Sequence, residues 1–227
     1  LDAQALQRMQ RFLGDASHEL RTPLTVIKGY NEMLSKGQFT QVSDQSRAFS
    51  RVSSEIERME SLIHDLLLLA ELGESKPVNF AEVDFDELVK AHLNDFQVLN
   101  TSRTVTTAIP DDCFVQGSRD HLSRLIQNCL SNILRHTPSD APVSVSLRNV
   151  GKRAELRVED GGPGLPDSAY GSEIKFMNRF DPSRSRESGG SGLGLSIIAA
   201  IVQEHSGELE LSKSQLGGLA VTIRIPN

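Results

Sequence analysis

Three residues close together, His18, Glu19 and Thr22, have the types and spacing for nucleophilic and proton-transfer chemistry. A solvated imidazole has a reference pKa near 6.5, so roughly three quarters of it is neutral at pH 7 and Nε2 keeps a nucleophilic lone pair. The carboxylate of Glu19 can take or hold the proton on the other ring nitrogen. Thr22 follows His18 by four residues and shares its helical face. A second set lies far along the chain, at Asn128, Asn132, Arg135 and His136. Their spacing puts them on one side of a helix. Amide oxygens are hard, neutral ligands suited to Mg²⁺, and a cation one turn further on can meet phosphates. Asp160 opens Asp160-Gly-Gly-Pro-Gly164, where a carboxylate can accept a hydrogen bond from an exocyclic amine such as that of adenine, and Gly162 and Gly164 allow a sharp turn and close approach to a ligand. Finally, Gly189-Gly-Ser-Gly-Leu-Gly194 opens an apolar helix whose free N–H groups would meet phosphate oxygens. It lacks Gly-Lys-Ser/Thr, which excludes a P-loop, and the order of elements does not fit a dinucleotide-binding fold.

These groups need elements to hold them. Apolar or small residues at Leu6, Met9, Leu13, Ala16, Leu20, Ile27, Tyr30 and Leu34 mark the seam of one coiled-coil-like helix, from about residue 2 to residue 35. His18 points away from that seam. Pro23 falls on it, where a missing donor and a crowded carbonyl cost about 3 kcal/mol and predict a kink. Lys36-Gly37-Gln38 supplies the stop. A second helix carries Phe49, Val52, Ile56, Met59, Ile63, Leu66 and Ala70 as its stripe, widened by Leu62, Leu67 and Leu69. Two such helices make an antiparallel hairpin that covers only part of its own apolar face, so a second copy is expected to complete a four-helix bundle.

The pattern changes at Leu72-Gly-Glu-Ser-Lys-Pro-Val78, a linker composition. Residues 1–72 therefore read as the helical hairpin, 73–80 as the linker and 81–227 as a second domain. Asp84-Phe-Asp-Glu87 is a capping-box variant opening a helix to about Asn100. Short alternating runs at Thr104–Ile109, Val143–Leu147, Ala154–Val158, Leu209–Leu211 and Leu219–Ile225 predict strands, with helices at Arg119–His136 and Leu193–His205 between them. The grouping and the antiparallel-type alternation indicate an α+β sandwich, one sheet with one helix-covered face. Between Gly164 and Gly189 lie roughly two dozen residues carrying Lys175, Arg179, Arg184 and Arg186, long enough to form a lid over a nucleotide.

Composition narrows the possibilities. The chain has 227 residues, 38% of them apolar, and no apolar run approaches the 18 residues of a membrane span. No signal-peptide pattern is present. A formal charge of −6, with no basic stripe, argues against a nucleic-acid partner. Cys113 and Cys129 make no metal spacing and suit a reducing compartment. A first residue that is Leu, already in register with the seam, suggests a piece cut from a longer protein.

Ser17-His-Glu-Leu-Arg-Thr-Pro-Leu24 resembles the phosphoacceptor box of bacterial sensor histidine kinases nearly letter for letter. Asn128 to His136, Asp160 to Gly164 and Gly190 to Gly194 resemble the N, G1 and G2 boxes of that family's Bergerat-type ATPase domain. They come in the family order, and the similarity covers nearly the whole chain. The resemblance makes His18 the phosphoacceptor and Glu19 its acid/base partner. It implies that Asn132 and Asn128 hold Mg²⁺, that Arg135 and His136 touch ribose or phosphates, and that Asp160 meets adenine. Gly162, Gly164, Arg184, Gly190, Ser191, Gly192, Leu193 and Gly194 complete the implied ATP site. Glu19 with Thr22 is similar to the phosphatase motif of bifunctional members, in which Thr22 would position the attacking water. One stretch departs from the pattern: Glu173-Ile-Lys-Phe176-Met-Asn-Arg179-Phe180-Asp leaves either Phe176 or Phe180 as the second lid aromatic. The implied partners are a second copy of the chain and the receiver domain of a response regulator. The implied setting is the cytoplasmic part of a sensor tethered to the membrane through segments outside this chain. An ATPase of the chaperone, gyrase or mismatch-repair type shares the nucleotide fold but has no use for the His18 box. A signalling scaffold with a degenerate site would lack the Asn and Asp residues found here.

Overall fold

A computed structural model of the chain describes residues 3–39, 41–72, 80–167, 170 and 193–227, with side chains in the first helix from residue 14 onward except residue 15. The backbone divides into two compact units, Leu1–Glu71 and Leu72–Asn227. The first is built from α1 (Ala3–Ser35) and α2 (Val42–Leu72). Pro23 lies inside α1, buried, and the helix runs on through it. At the end of α1, Gly37 takes a left-handed φ of 64° while its N–H donates to Leu34 O and that of Gln38 to Met33 O, both at 3.1 Å. These two bonds satisfy carbonyls that the helix end would otherwise strand, which is why glycine occupies this place.

The buried face of α2 differs from the expected stripe. Ala48, Glu55, Leu62 and Leu69, each seven residues after the last, are buried, whereas Phe49, Ile56 and Ile63, one position further round, are 58%, 45% and 44% exposed. A single neighbouring helix covers one row of a wide stripe and leaves the next in water. The residues that seemed only to widen the stripe, Leu62 and Leu69, are the ones that pack.

The second unit contains β1 (Ala81–Asp84), α3 (Phe85–Leu99), β2 (Val105–Ala108), β3 (Phe114–Gly117), α4 (Arg119–His136), β4 (Val143–Val150), β5 (Arg153–Asp160), α5 (Gly194–Glu204), β6 (Glu208–Lys213) and β7 (Leu219–Pro226). Five strands form a sheet in the order β2-β4-β5-β7-β6, and β1 pairs with β3 in a small separate ribbon. All neighbours are antiparallel except β2 and β4, which are parallel. That exception follows from connectivity, because the chain between them crosses over through α4.

The sheet has two unlike faces. Leu147, Leu156 and Ile223 align in register across β4, β5 and β7, all buried, on one face. On the other, Arg148, Glu155, Arg224 and Glu208 stand side by side across four strands. Glu155 is buried between two arginines, with Oε1 2.6 Å from Arg148 and Oε2 2.6 Å from Arg224. Burial pushes its pKa up, but the two guanidinium hydrogen bonds outweigh that and hold the carboxyl below its ordinary range. Arg157 with Glu159 and Arg153 with Glu208 extend the pattern.

The helices are positioned by caps and by one buried histidine. Asp84 caps α3 by accepting the Glu87 N–H at 3.0 Å, as the capping-box reading expects. The six apolar residues of α4 named from its periodicity are all buried. Helices α4 and α5 pack antiparallel, and His205 ties one end of the pair: its Nδ1 donates to Ile201 O at 2.7 Å and its Nε2 accepts the N–H of Ser118, the N-cap of α4, at 3.1 Å. Burial lowers its pKa and so favours the neutral ring that this pairing requires. The opposite end of the pair holds the nucleotide candidates.

Candidate functional site

In the first unit, His18 is exposed on α1, as its place opposite the seam predicts. Thr22 is exposed one turn on, its Oγ1 3.5 Å from the His18 carbonyl. Glu19 behaves differently from a solvated partner of the imidazole. It is 8% exposed, with its carboxylate 3.9 Å from Arg58 of α2. Arg58 also lies 3.8 Å from Glu55, whose other oxygen pairs with Arg51 at 2.9 Å. One guanidinium is thus shared between two nearly buried carboxylates, while the histidine beside them faces water.

In the second unit the candidates cluster where β5 ends and α4 meets α5. Asp160, 7% exposed, accepts the N–H of Gly162 at 2.8 Å and that of Leu219 at 3.3 Å, both on Oδ1. Burial raises its pKa; the two N–H donors and the charges of His136 and Arg103 oppose that rise. The turn is tight because glycines permit it. A Cβ on Gly162 would stand 2.6 Å from the Thr137 methyl, and one on Gly218 would collide with Asp160 Oδ1. Gly164 has a left-handed φ of 67°, and the Leu165 N–H after it donates to the Tyr170 hydroxyl at 2.8 Å.

At the near ends of α4 and α5, Asn132 lies against Gly194, where a Cβ would stand 2.7 Å from its Oδ1. Leu193, the buried N-cap of α5, provides no side-chain cap, so the helix opens without a side-chain acceptor on its first N–H groups. Asn128 is buried one turn before Asn132, and its Nδ2 donates to Arg124 O at 2.9 Å, which fixes the amide with Oδ1 as its remaining acceptor. Two amide oxygens on one helix beside an uncapped helix start fit a Mg²⁺ ion carried with phosphates. Arg135 is half-buried and His136 exposed on the last turn of α4. Arg184, Gly190, Ser191 and Gly192, with Lys175, Phe176, Arg179, Phe180 and Arg186 of the expected lid, lie outside the described residues.

The structure adds residues that sequence reasoning did not single out. Arg103 is a buried cation that donates to Thr137 Oγ1 at 2.8 Å. Thr137 in turn touches the Gly162 turn, and Gly218 donates its N–H to Asp160 O at 3.1 Å. Only Gly218, inside a Gly-Gly pair between two strand-like runs, carried a local signal.

Residues 8–75 match the family described as the His Kinase A (phospho-acceptor) domain, and residues 117–227 match the Histidine kinase-, DNA gyrase B-, and HSP90-like ATPase. The chain is 34% identical over 223 residues to the probable sensor histidine kinase TcrY of Mycobacterium tuberculosis, covering 96% of this chain and 46% of that protein. It thus spans about half the length of the curated relatives it matches. Among solved structures, the Acinetobacter baumannii histidine kinase AdeS superposes with a TM-score of 0.71 at 22% identity, over 92% of this chain and 97% of that one. The histidine kinase ThkA, solved in complex with the response regulator protein TrrA, superposes with a TM-score of 0.77 at 19% identity, over 98% of this chain and 63% of that one.

Proposed function

This chain belongs to the sensor histidine kinases, of which it is the catalytic core, and from that membership we propose that it phosphorylates its own His18 from ATP and passes the phosphoryl group to an aspartate of a response-regulator receiver domain. The observation that carries this reading is the pairing of unlike sites in one chain: an exposed imidazole on α1 and a buried, hydrogen-bonded Asp160 beside Asn132 and the start of α5. In the first step, Nε2 of His18 attacks the γ-phosphorus, a P–N bond forms and the bond to ADP breaks. Nδ1 carries the ring proton. Glu19 is the group next in sequence that can hold it, once its carboxylate leaves Arg58. The protein's work is positioning and charge neutralisation, which dominate phosphoryl transfer. Asp160 accepts the adenine amine, Arg135 and His136 meet ribose or phosphates, and Gly162, Gly164, Arg184 and the Gly190 to Gly194 turn line the site. Mg²⁺, held through Asn132 and Asn128, neutralises phosphate charge when bound.

The finer assignments are part of the same proposal. Residues 1–72 serve dimerisation and phosphotransfer, 73–80 link, and 81–227 bind ATP. The exposed row Phe49, Ile56 and Ile63 meets a second copy of the chain, closing a four-helix bundle. Thr22 orients water for removal of phosphate from the regulator. No described helix is long and apolar enough to cross a membrane, so a membrane tether would belong to the half of the relatives' length that this chain does not span, leaving the core on the cytoplasmic side. Incubation with γ-labelled ATP and Mg²⁺ tests the central claim. The expected result is an acid-labile label that His18→Gln abolishes while ADP affinity stays unchanged; an acid-labile label surviving in that variant would refute His18 as acceptor.

A further inference from the structure

Arg103 is an expensive residue for its surroundings. It is 8% exposed, and among the described residues no carboxylate lies within ion-pair distance of it. A buried charge normally has a charged partner. Its bonds all go to one turn: Nη1 to Thr137 Oγ1 at 2.8 Å and to Ala141 O at 3.3 Å, and Nη2 to Thr137 O at 3.4 Å. Nε is buried with no acceptor at all.

Stapling that turn does not require a cation. Ser102 Oγ already donates to Ser139 O at 2.9 Å, and the Val143 N–H to Thr104 O at 2.9 Å, so the two segments are pinned on either side of Arg103. What a neutral side chain cannot supply there is charge. The buried Asp160 feels two favourable charges, those of His136 and Arg103. His136 is exposed and loses its proton near neutrality, whereas a guanidinium stays charged throughout.

We propose that Arg103 is a positioning residue of the nucleotide pocket, whose guanidinium sets the Thr137–Ala141 turn against the Gly162 turn and provides the permanent positive charge beside Asp160. This rests on the reading that Asp160 accepts the adenine amine. An ionised acceptor makes the stronger hydrogen bond to that amine. Burial works against ionisation, and Arg103 counters it at every physiological pH. Removing the charge raises the Asp160 pKa further, so the penalty on nucleotide binding grows as pH falls.

The test uses the full chain and ADP with Mg²⁺, titrated calorimetrically at pH 8 and pH 6. Arg103→Gln keeps donors for the turn and loses the charge; Arg103→Lys keeps the charge and loses the fork. The expected loss for Arg103→Gln is about threefold at pH 8 and about tenfold at pH 6, with Arg103→Lys near wild type at both. In an Asp160→Asn background the extra pH dependence should vanish, because the titrating group is gone. Equal losses in both Arg103 variants with a wild-type pH profile would reduce Arg103 to a structural staple and overturn the proposal, as would unchanged affinity in Arg103→Gln. Wild-type ADP affinity in Asp160→Asn alone would instead overturn the adenine reading beneath it.

Discussion

The two candidate sites are built on opposite principles. On the hairpin, His18 and Thr22 face water on a helix, and the neighbouring apolar row of α2 has no cover within the described chain. In the α/β unit, Asp160 is buried and both its bonds go to backbone N–H groups set by neighbouring glycines. The contrast has a physical reason. A nucleophile that must meet first a nucleotide and then a partner protein has to stay reachable from several directions. A base-recognition group needs the reverse, because only a desolvated carboxylate discriminates strongly among donors. Precision is concentrated where the ligand is small and constant, and openness where the partners change.

The sharpest way to break this comparison is at the buried end. In Asp160→Asn the amide oxygen must stay on the Gly162 and Leu219 N–H groups, which leaves Nδ2 facing the adenine amine as donor against donor. The expected cost is about 1.5–3 kcal/mol, or roughly 10–100-fold in ADP affinity, measured by calorimetry. A change under twofold would mean that the buried site does not read the base.

On the open side, Ile56→Glu places a charge in the exposed row of α2. We expect the dimer to dissociate at least about tenfold more readily by light scattering across a dilution series, with ADP affinity unchanged. A dimer of wild-type strength would mean the row serves something other than self-association. Thr22→Ala should leave autophosphorylation within about threefold while slowing dephosphorylation of the regulator by about tenfold, followed in paired time courses with ADP present. Equal slowing of both reactions would make Thr22 a shaper of the helix near Pro23 and not a holder of water. The smallest effect belongs to the scaffold: Asp84→Ala removes the cap of α3 and should cost the second unit about 1 kcal/mol in urea unfolding, with His18 labelling unaffected.

Sequence showed most where a local rule governs. The stop at Gly37, the cap at Asp84 and the buried face of α4 each depend on residues within two turns of one another, so pattern alone exposes them. The strands β1 and β3 were not anticipated, since each is four residues long and buries little besides Val83 and Val115, which pair only with each other. The parallel pairing of β2 with β4 and the row of α2 that turns inward are likewise decided by distant neighbours. For the site, the residue types of Asp160, Asn128 and Asn132 were readable and their surroundings were not. Arg103 lies 34 residues from Thr137 and in no motif. The Glu19 carboxylate faces Arg58 because two helices happen to align there, something no spacing within α1 can reveal.

The row of paired charges on the open face of the sheet has one further consequence. Its four arginines, 148, 153, 157 and 224, are matched by Glu155, Glu159, Glu208 and Glu210. That face is therefore electrically silent at a distance, and the chain's formal charge of −6 resides wholly elsewhere. A charged body diffusing toward the protein feels no pull toward this wall of the sheet. The balanced row thus narrows the approaches that long-range attraction favours and leaves orientation to the remaining surface.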